Sequence, residues 1–192
     1  MSTISKRQIK REALVRATIN LVNNHGFHAA PMSRIAKMAE VSPGTIYLYF
    51  ENKQDLVNQA YIEVKAAFSK FAFKDYKEDF SVEKGFENIW KNIAEFKLIE
   101  VEEAMFLSQC DNTPIIDEPS RMEGLKHLQP LLDLWERGKK EGIIKPVSAY
   151  MLYAFSIYPI AFLMNMQQRE LFELTSAHLD EAYKMAWNSI KV

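Results

Sequence analysis

Cysteine, glycine and proline are scarce in this sequence of 192 residues. The one cysteine, Cys110, cannot form a disulfide within the chain, so we expect a reducing, cytoplasmic location. Only six glycines and seven prolines punctuate the chain, and we find no convincing strand pattern, internal repeat or low-complexity segment. With 48% hydrophobic residues available for a core, the sequence predicts an all-α protein with about nine helices.

Net charge is also nearly absent, at −1, but the charges are unevenly distributed. Residues 1–55 carry eight Lys or Arg and four Asp or Glu, whereas residues 56–192 carry 16 and 21. A basic head on an acidic body favours an anionic partner for the head. Chance imbalance is the alternative interpretation of so small an excess.

One uncharged stretch, residues 147–166, is long enough to span a bilayer. Three tyrosines, two serines, Pro159 and Asn165 interrupt it, and no second such stretch accompanies it. We therefore expect a buried or interface helix rather than a membrane span. The first twenty residues are charged and lack an apolar core, so no signal peptide is expected.

Apolar residues at helical spacing mark the N-terminal helices. Leu14, Ala17 and Leu21 lie on one face of a first helix that Gly26 is suited to end. A short second helix is expected at about 31–39, with Pro31 at its first position. A third is expected at about 43–49.

The third helix has strong start signals. Ser42 can cap it, Pro43 suits its first position, and Ile46 and Phe50 form an inward apolar pair. Asn52 is then expected to cap a long fourth helix. Two short helices joined by a tight turn are typical of a helix-turn-helix, whose second helix enters the DNA major groove.

The helix-turn-helix interpretation explains the unusual composition of residues 43–53. The slim Pro43 and Gly44 would let the helix approach DNA closely, while the phenols of Tyr47 and Tyr49 could reach phosphate oxygens. Lys53 adds a positive charge at the start of the next helix.

The segment GFHAAPMSRIAKMAEVSPGTIYLYFENKQDL, residues 26–56, resembles the DNA-binding domain of the TetR family of bacterial transcriptional regulators. The resemblance covers about fifty residues. The matching residues are Gly26-Phe27, Ile35-Ala36, Val41-Ser42, Gly44-Thr45-Ile46-Tyr47, Phe50, Asn52-Lys53 and Leu56.

The resemblance implies a helix-turn-helix domain at residues 1–52 and a ligand-binding and dimerisation domain at 53–192. It implies a homodimeric repressor that binds double-stranded operator DNA and is released by a small apolar or aromatic effector. The expected DNA-binding residues are Ser33, Arg34, Ser42, Pro43, Gly44, Thr45, Tyr47, Tyr49 and Lys53.

The sequence departs from the family pattern in two places. Where the family usually has a hydroxyl that caps the second helix, this chain has Ala30 and Pro31. A missing side-chain cap would cost about 1 kcal/mol. The turn between the two short helices often holds glycine, and here it holds Glu40. If that turn needs a positive φ, Glu40 carries a strain of roughly 1 kcal/mol.

The effector pocket is predicted from chemistry, because apolar pockets are rich in aromatic residues and methionine. The alternative is that each candidate is ordinary core. The candidates are Trp90, Phe96, Met105, Phe106, Cys110, Tyr158 and Phe162. The helices expected at about 147–168 and 175–190 would form a four-helix dimer interface.

Enzyme function is not expected, because no nucleophile, paired carboxylate or metal cluster stands out. The histidines lack metal-ligand spacing, so neither a metal nor a cofactor is expected. Cys110 as a redox sensor is a minor alternative. The remaining alternative function is a helical protein that binds small hydrophobic molecules and has no role on DNA.

Overall fold

The computed structural model describes residues 5–192, which form eleven helices and no strand. An isolated antiparallel bridge pairs Ile144 with Lys191. The all-α prediction is confirmed. The helices are α1 Lys6–His25, α2 Met32–Met38, α3 Pro43–Ile46, α4 Lys53–Ala72, α5 Val82–Ile99, α6 Val101–Asn112, α7 Glu118–Lys126, α8 Gln129–Lys140, α9 Ala149–Ser156, α10 Pro159–Gln168 and α11 Ser176–Ile190.

The chain packs as two compact units. Unit one is the chain up to Lys65 together with Glu102–Gly124, and unit two is Ala66–Val101 together with Leu125–Val192. Unit one extends beyond the N-terminal helices because α6 is hydrogen-bonded to α1. The Asn23 amide donates to the Glu102 carbonyl at 2.8 Å, and the Gln109 amide donates to the Asn23 carbonyl at 3.2 Å. The functional division expected at residues 52 and 53 stays a prediction.

Unit one holds α3 in place by burying one of its faces. Ile46 is fully buried and Phe50 is almost fully buried, as the predicted inward pair requires. Asn52 caps α4 as predicted, since its side-chain oxygen accepts the backbone N–H of Asp55 at 3.0 Å. The Asp55 carboxylate in turn accepts the N–H of Glu51 at 2.9 Å. Two backbone N–H groups at the start of α4 are thereby satisfied.

The two ends of α2 match the expected departures from the family pattern. Pro31 is the N-cap residue rather than the first helical residue, and no side chain caps this helix. At the other end Glu40 has φ 55°. Its N–H donates to the Lys37 carbonyl at 3.2 Å, and the Val41 N–H donates to the Ala36 carbonyl at 3.0 Å. This is a Schellman ending, in which a left-handed residue satisfies the last carbonyls.

Two proline-associated breaks raise the number of helices above the nine expected. The apolar residues Leu125, Leu128, Leu132 and Trp135 are at helical spacing and predict one helix kinked at Pro130. The chain instead forms α7 and α8 there, with Pro130 in the first turn of α8. The uncharged helix predicted at about 147–168 is divided into α9 and α10 before Pro159. Proline has no backbone N–H to donate, so a helix that continued through Pro130 or Pro159 would lose a backbone hydrogen bond at that residue.

Side chains from other helices satisfy the carbonyls at the second break. The Trp90 indole N–H of α5 donates to the Ser156 carbonyl at 2.8 Å. The Ser189 hydroxyl of α11 lies 3.2 Å from the Phe155 carbonyl oxygen, although it is closer to that of Ala186, at 2.7 Å. The break in α9–α10 is therefore stabilised by residues more than 30 positions away in sequence.

By length and composition, one segment of the described chain could cross a membrane, Ala149–Gln168, with a mean hydropathy of 1.3. It consists of α9 and α10, and 33% of it is buried inside the chain. A helix that lies in a protein core or interface passes the same test.

The positive φ at Glu40 yields a prediction. Glu40→Gly should raise the free energy of unfolding by less than about 1.5 kcal/mol, because relief of the left-handed strain exceeds the extra entropy of glycine in the unfolded chain. Urea unfolding of both proteins measures this gain. Glu170→Gly is the matched comparison, since Glu170 has φ 56° in the same kind of ending after α10. A lower stability for Glu40→Gly would show that the turn does not strain Glu40.

Candidate functional site

The exposed face of α3 and of the turn that follows it is formed by Gly44, Tyr47 and Leu48. These residues are spaced i, i+3 and i+4, so they lie together on the side opposite Ile46 and Phe50. The side chains of Tyr47 and Leu48 are 59% and 73% exposed. The Leu48 N–H donates to the Thr45 carbonyl, and the Tyr49 N–H donates to that of Ile46, both at 3.1 Å. These are turn bonds between residues three apart, so α3 ends at Ile46 and a turn occupies the last three residues of the helix predicted at about 43–49.

Ser42 fixes the start of α3. Its hydroxyl oxygen accepts the Thr45 backbone N–H at 3.2 Å and lies 2.6 Å from the Thr45 hydroxyl. Pro43 follows at the first helical position, as predicted. The two hydroxyls are therefore held together beside the exposed face.

Gly44 has no reason within the chain to be glycine. It does not adopt a positive φ, and a Cβ atom added there would meet no atom within 4 Å. Glycine in a helix costs roughly 0.5–1 kcal/mol relative to alanine. The bare backbone at this point leaves room for close approach by an external molecule.

Ser33 and Arg34 are exposed on α2. The Arg34 guanidinium donates to the Nε2 atom of His25 at 2.8 Å, so the ring of His25 presents its acceptor nitrogen there. This bond orients Arg34 and leaves it other N–H groups for an anionic partner.

Lys53 is half-buried and has a partner inside the chain. Its ammonium donates to the Phe27 carbonyl at 3.0 Å and lies 4.1 Å from the centroid of the Phe27 ring. Lys53 therefore ties the start of α4 to the turn after α1, a role that the sequence reasoning missed. Two of its N–H donors remain for another acceptor. Tyr49 is also half-buried, beside Phe50, whereas Tyr47 is open.

The predicted ligand residues of unit two divide into buried and exposed groups. Trp90 and Phe96 are 1% and 3% exposed. Trp90 donates to Ser156, and Phe96 packs edge-to-face on Phe68 with ring centroids 5.2 Å apart. These contacts are those of core residues.

Tyr158 and Phe162 are 43% and 59% exposed in the single chain. Unit two does not enclose them, so their place in a ligand pocket stays a prediction that requires a second surface to cover them.

The other predicted ligand residues lie in unit one, where Phe106 and Cys110 are fully buried and Met105 is half-buried. Burial raises the pKa of the Cys110 thiol to about 12, and the negative charge of Asp111 adds to this effect. The thiol therefore stays protonated at neutral pH and is a poor nucleophile, which argues against a redox sensor.

Unit one also buries a lysine that the sequence reasoning did not select. Lys65 is 4% exposed, its ammonium lies 3.6 Å from the Asp111 carboxylate, and it lies 5.4 Å from the Tyr61 ring centroid. The sequence signal for the burial of Lys65 was its position on α4, one turn after Tyr61 on the buried face of that helix. Leu48 was missed in the same way, although it follows Gly44 by four residues.

A surface groove of about 400 Å³ in unit one and one of about 410 Å³ in unit two contain none of the predicted ligand residues. Within residues 5–192, no group of three or more His, Cys, Asp or Glu residues could hold a metal ion. The first groove is lined by Ala13, Arg16, Ala17, Asn20, Met38, Ala39, Glu40 and Glu102, and the second by Tyr76, Glu78, Gln129, Pro130, Asp133, Leu134 and Arg137.

Comparison with known proteins identifies the family. Residues 14–60 match the family described as bacterial regulatory proteins, tetR family. Residues 81–191, more than half of the chain, match the family described as tetracyclin repressor-like, C-terminal domain. The chain belongs to the TetR family. It is a helix-turn-helix transcriptional regulator and not an enzyme, and the resemblance stated from the sequence is confirmed.

Relatives cover nearly the whole TetR-family chain. An uncharacterized HTH-type transcriptional regulator of Haemophilus influenzae is 26% identical over 94% of this chain and 95% of its own. A TetR family transcription regulator from Marinobacter aquaeolei has a TM-score of 0.88 at 27% identity, covering 95% of this chain and 96% of its own. The Bacillus subtilis regulator FadR, solved in complex with stearoyl-CoA, has a TM-score of 0.72 at 18% identity over 93% and 98%. That identity shows the fold alone.

Replacement of Gly44 is expected to change stability and DNA affinity in opposite directions. Gly44→Ala should raise the free energy of unfolding by up to about 1 kcal/mol, since a methyl group fits without contact and alanine is the better helix former. If the face binds DNA, the same variant should bind DNA less tightly. Urea unfolding and a gel-shift titration measure the two effects.

Gly124→Ala is the opposite control, because its Cβ would lie 2.6 Å from the buried ring of Tyr61. It should lose stability. An unchanged DNA affinity in Gly44→Ala would remove Gly44 from the interface.

Trp90 and Trp135 allow a matched test of core hydrogen bonding. Both are 1% exposed, but the Trp90 indole N–H donates to Ser156 whereas that of Trp135 has no hydrogen-bond partner. Trp90→Phe should therefore lower the free energy of unfolding by about 1–3 kcal/mol more than Trp135→Phe, because it leaves the buried Ser156 carbonyl unsatisfied. Urea unfolding decides the comparison. Equal losses would show that the bond to Ser156 does not stabilise the helix break.

Proposed function

We propose that this TetR-family regulator binds double-stranded operator DNA through α2 and α3 as a cytoplasmic homodimeric repressor, and that a small effector releases it. The observation that supports DNA binding most is the exposed face of α3. Gly44 leaves the backbone open there without any internal need, and Tyr47 and Leu48 project beside it. One or two helical turns are enough to present such a face to the major groove.

The proposed contacts have two kinds of role. Phosphate contacts fix the register of a protein on DNA, and groove contacts distinguish the bases. Ser33, Arg34, Tyr47, Tyr49 and Lys53 are assigned to phosphates. Ser42, Pro43, Gly44 and Thr45 lie at the helix start that would enter the groove.

The dimer is proposed from exposed apolar side chains of unit two. Residues at helical spacing along α9 and α10, and one on α11, leave large apolar side chains exposed, and clusters of such side chains mark interaction sites. Because the charge-free stripe continues across the Pro159 break, a second copy of the chain is the proposed cover. The exposed residues are Tyr150, Met151, Phe155, Tyr158, Phe162 and Met185, with exposed fractions of 85%, 49%, 59%, 43%, 59% and 73%.

The effector is proposed to be apolar or aromatic. FadR of Bacillus subtilis, solved with stearoyl-CoA, shows that a chain of this fold can hold a ligand with a long apolar tail. An effector releases DNA only if it binds the DNA-free form more tightly than the DNA-bound form. Operator DNA must then lower the affinity for the effector by the same factor.

The test of DNA binding is a salt titration with a duplex that the protein selects from a random pool. Lys53→Met keeps the apolar stem beside Phe27 and removes the charge. If Lys53 contacts a phosphate, the slope of log affinity against log salt should fall by about one for each protomer on the DNA. Lys70→Met is the control, since Lys70 is an exposed lysine on the same helix outside the proposed interface.

Failure to select any duplex would contradict the proposed function. If Lys53→Met binds the selected duplex with the same slope of log affinity against log salt as the wild type, only the assignment of Lys53 to a phosphate is contradicted.

A further inference from the structure

We propose that Leu48 determines sequence specificity by contacting the 5-methyl group of a thymine in the major groove. This inference rests on the proposed binding of DNA by α3, and it assigns a role to a residue that the sequence reasoning left out. It also states which base feature that residue recognises.

Leu48 presents its side chain outward because the opposite side of α3 is fixed. Ile46 is fully buried and Phe50 is 1% exposed, so α3 cannot rotate without exposing both. Leu48 itself is 73% exposed, the most exposed large apolar side chain among the described residues of unit one. A single exposed leucine needs no explanation, but this one shares its face with Tyr47 and with Gly44.

The chemistry of leucine limits what it can recognise. Its side chain has no donor or acceptor, so it cannot read the hydrogen-bonding edges of the bases. The apolar group that the major groove offers is the thymine methyl. Gly44, one turn earlier on the same face, leaves open space in which the backbone can come close to the base edges.

The surrounding charge favours DNA over an apolar protein partner. Residues 1–55 carry eight cationic and four anionic side chains, and Arg34 and Lys37 are exposed on the preceding helix. An apolar residue within a basic segment suits a ligand that combines a phosphate backbone with one methyl group at the base edge.

Uracil replacement tests this proposal, because it removes the thymine methyl and keeps the base pair. The wild-type chain first selects a duplex from a random pool, and each thymine of that duplex is then replaced singly by uracil. We expect one position per half-site at which uracil weakens binding about four-fold, the factor for one buried methylene-sized group. Replacement in both half-sites should weaken binding about fifteen-fold. Leu48→Ala should bind the thymine and uracil duplexes equally.

Leu171→Ala is the matched control. Leu171 is a leucine of unit two that is 64% exposed, so this variant should keep the full preference for thymine. Leu48→Val is the second variant and should show a smaller preference than the wild type. Thermal melting should leave both Leu48 variants unchanged, because the side chain is exposed.

The outcomes separate this inference from the proposed function. If the wild type selects no duplex, DNA binding fails as a whole. If a duplex is selected but no uracil weakens binding, no methyl group is read and the role of Leu48 is overturned. An equal uracil effect in the wild type and in Leu48→Ala would assign the methyl contact to another residue, and would also overturn it.

Discussion

The burial of Ile46 and Phe50 is the contact on which the candidate interface depends. A helix of four residues is not stable by itself, because nucleation costs more than so few hydrogen bonds return. Packing of these two side chains in the core of unit one keeps α3 helical and sets its rotation. The exposed positions of Gly44, Tyr47 and Leu48 follow from that rotation and need no further support.

The neighbouring α2 also depends on packing, because each of its ends carries a local cost. No side chain caps its start, and Glu40 occupies a left-handed conformation at its end. Fully buried Ile35 and Ala36 hold it against the rest of unit one. Lys53 adds a tie between α4 and Phe27 close to the start of α2. Tertiary contacts therefore offset the local cost in the segment proposed to meet DNA.

Local patterns predicted the caps of the N-terminal third well, because caps act over three or four residues. Ser42 and Asn52 were evident from neighbouring residues, whereas the positive φ of Glu40 was a conditional expectation that came from the glycine often found there in the family. The breaks near Pro130 and Pro159 were less predictable, since the carbonyls freed at Pro159 find partners on distant helices, Trp90 among them. Aromatic composition also could not separate core from pocket. That distinction depends on three-dimensional enclosure, which buries Trp90 and leaves Phe162 exposed.

The composition of α3 restricts how this regulator can discriminate between sequences. From Pro43 to Tyr49 the segment contains no Arg, Asn or Gln, the residues that read purines through paired hydrogen bonds. A bidentate pair distinguishes bases by about 1–3 kcal/mol, whereas one methyl contact contributes about 0.8 kcal/mol. Each α3 would therefore read its half-site weakly. Specificity would have to accumulate over the two half-sites of a dimer and over the sequence-dependent shape of the DNA. The DNA-reading surface proposed for α3 would thus depend on the dimer surface proposed for α9–α11.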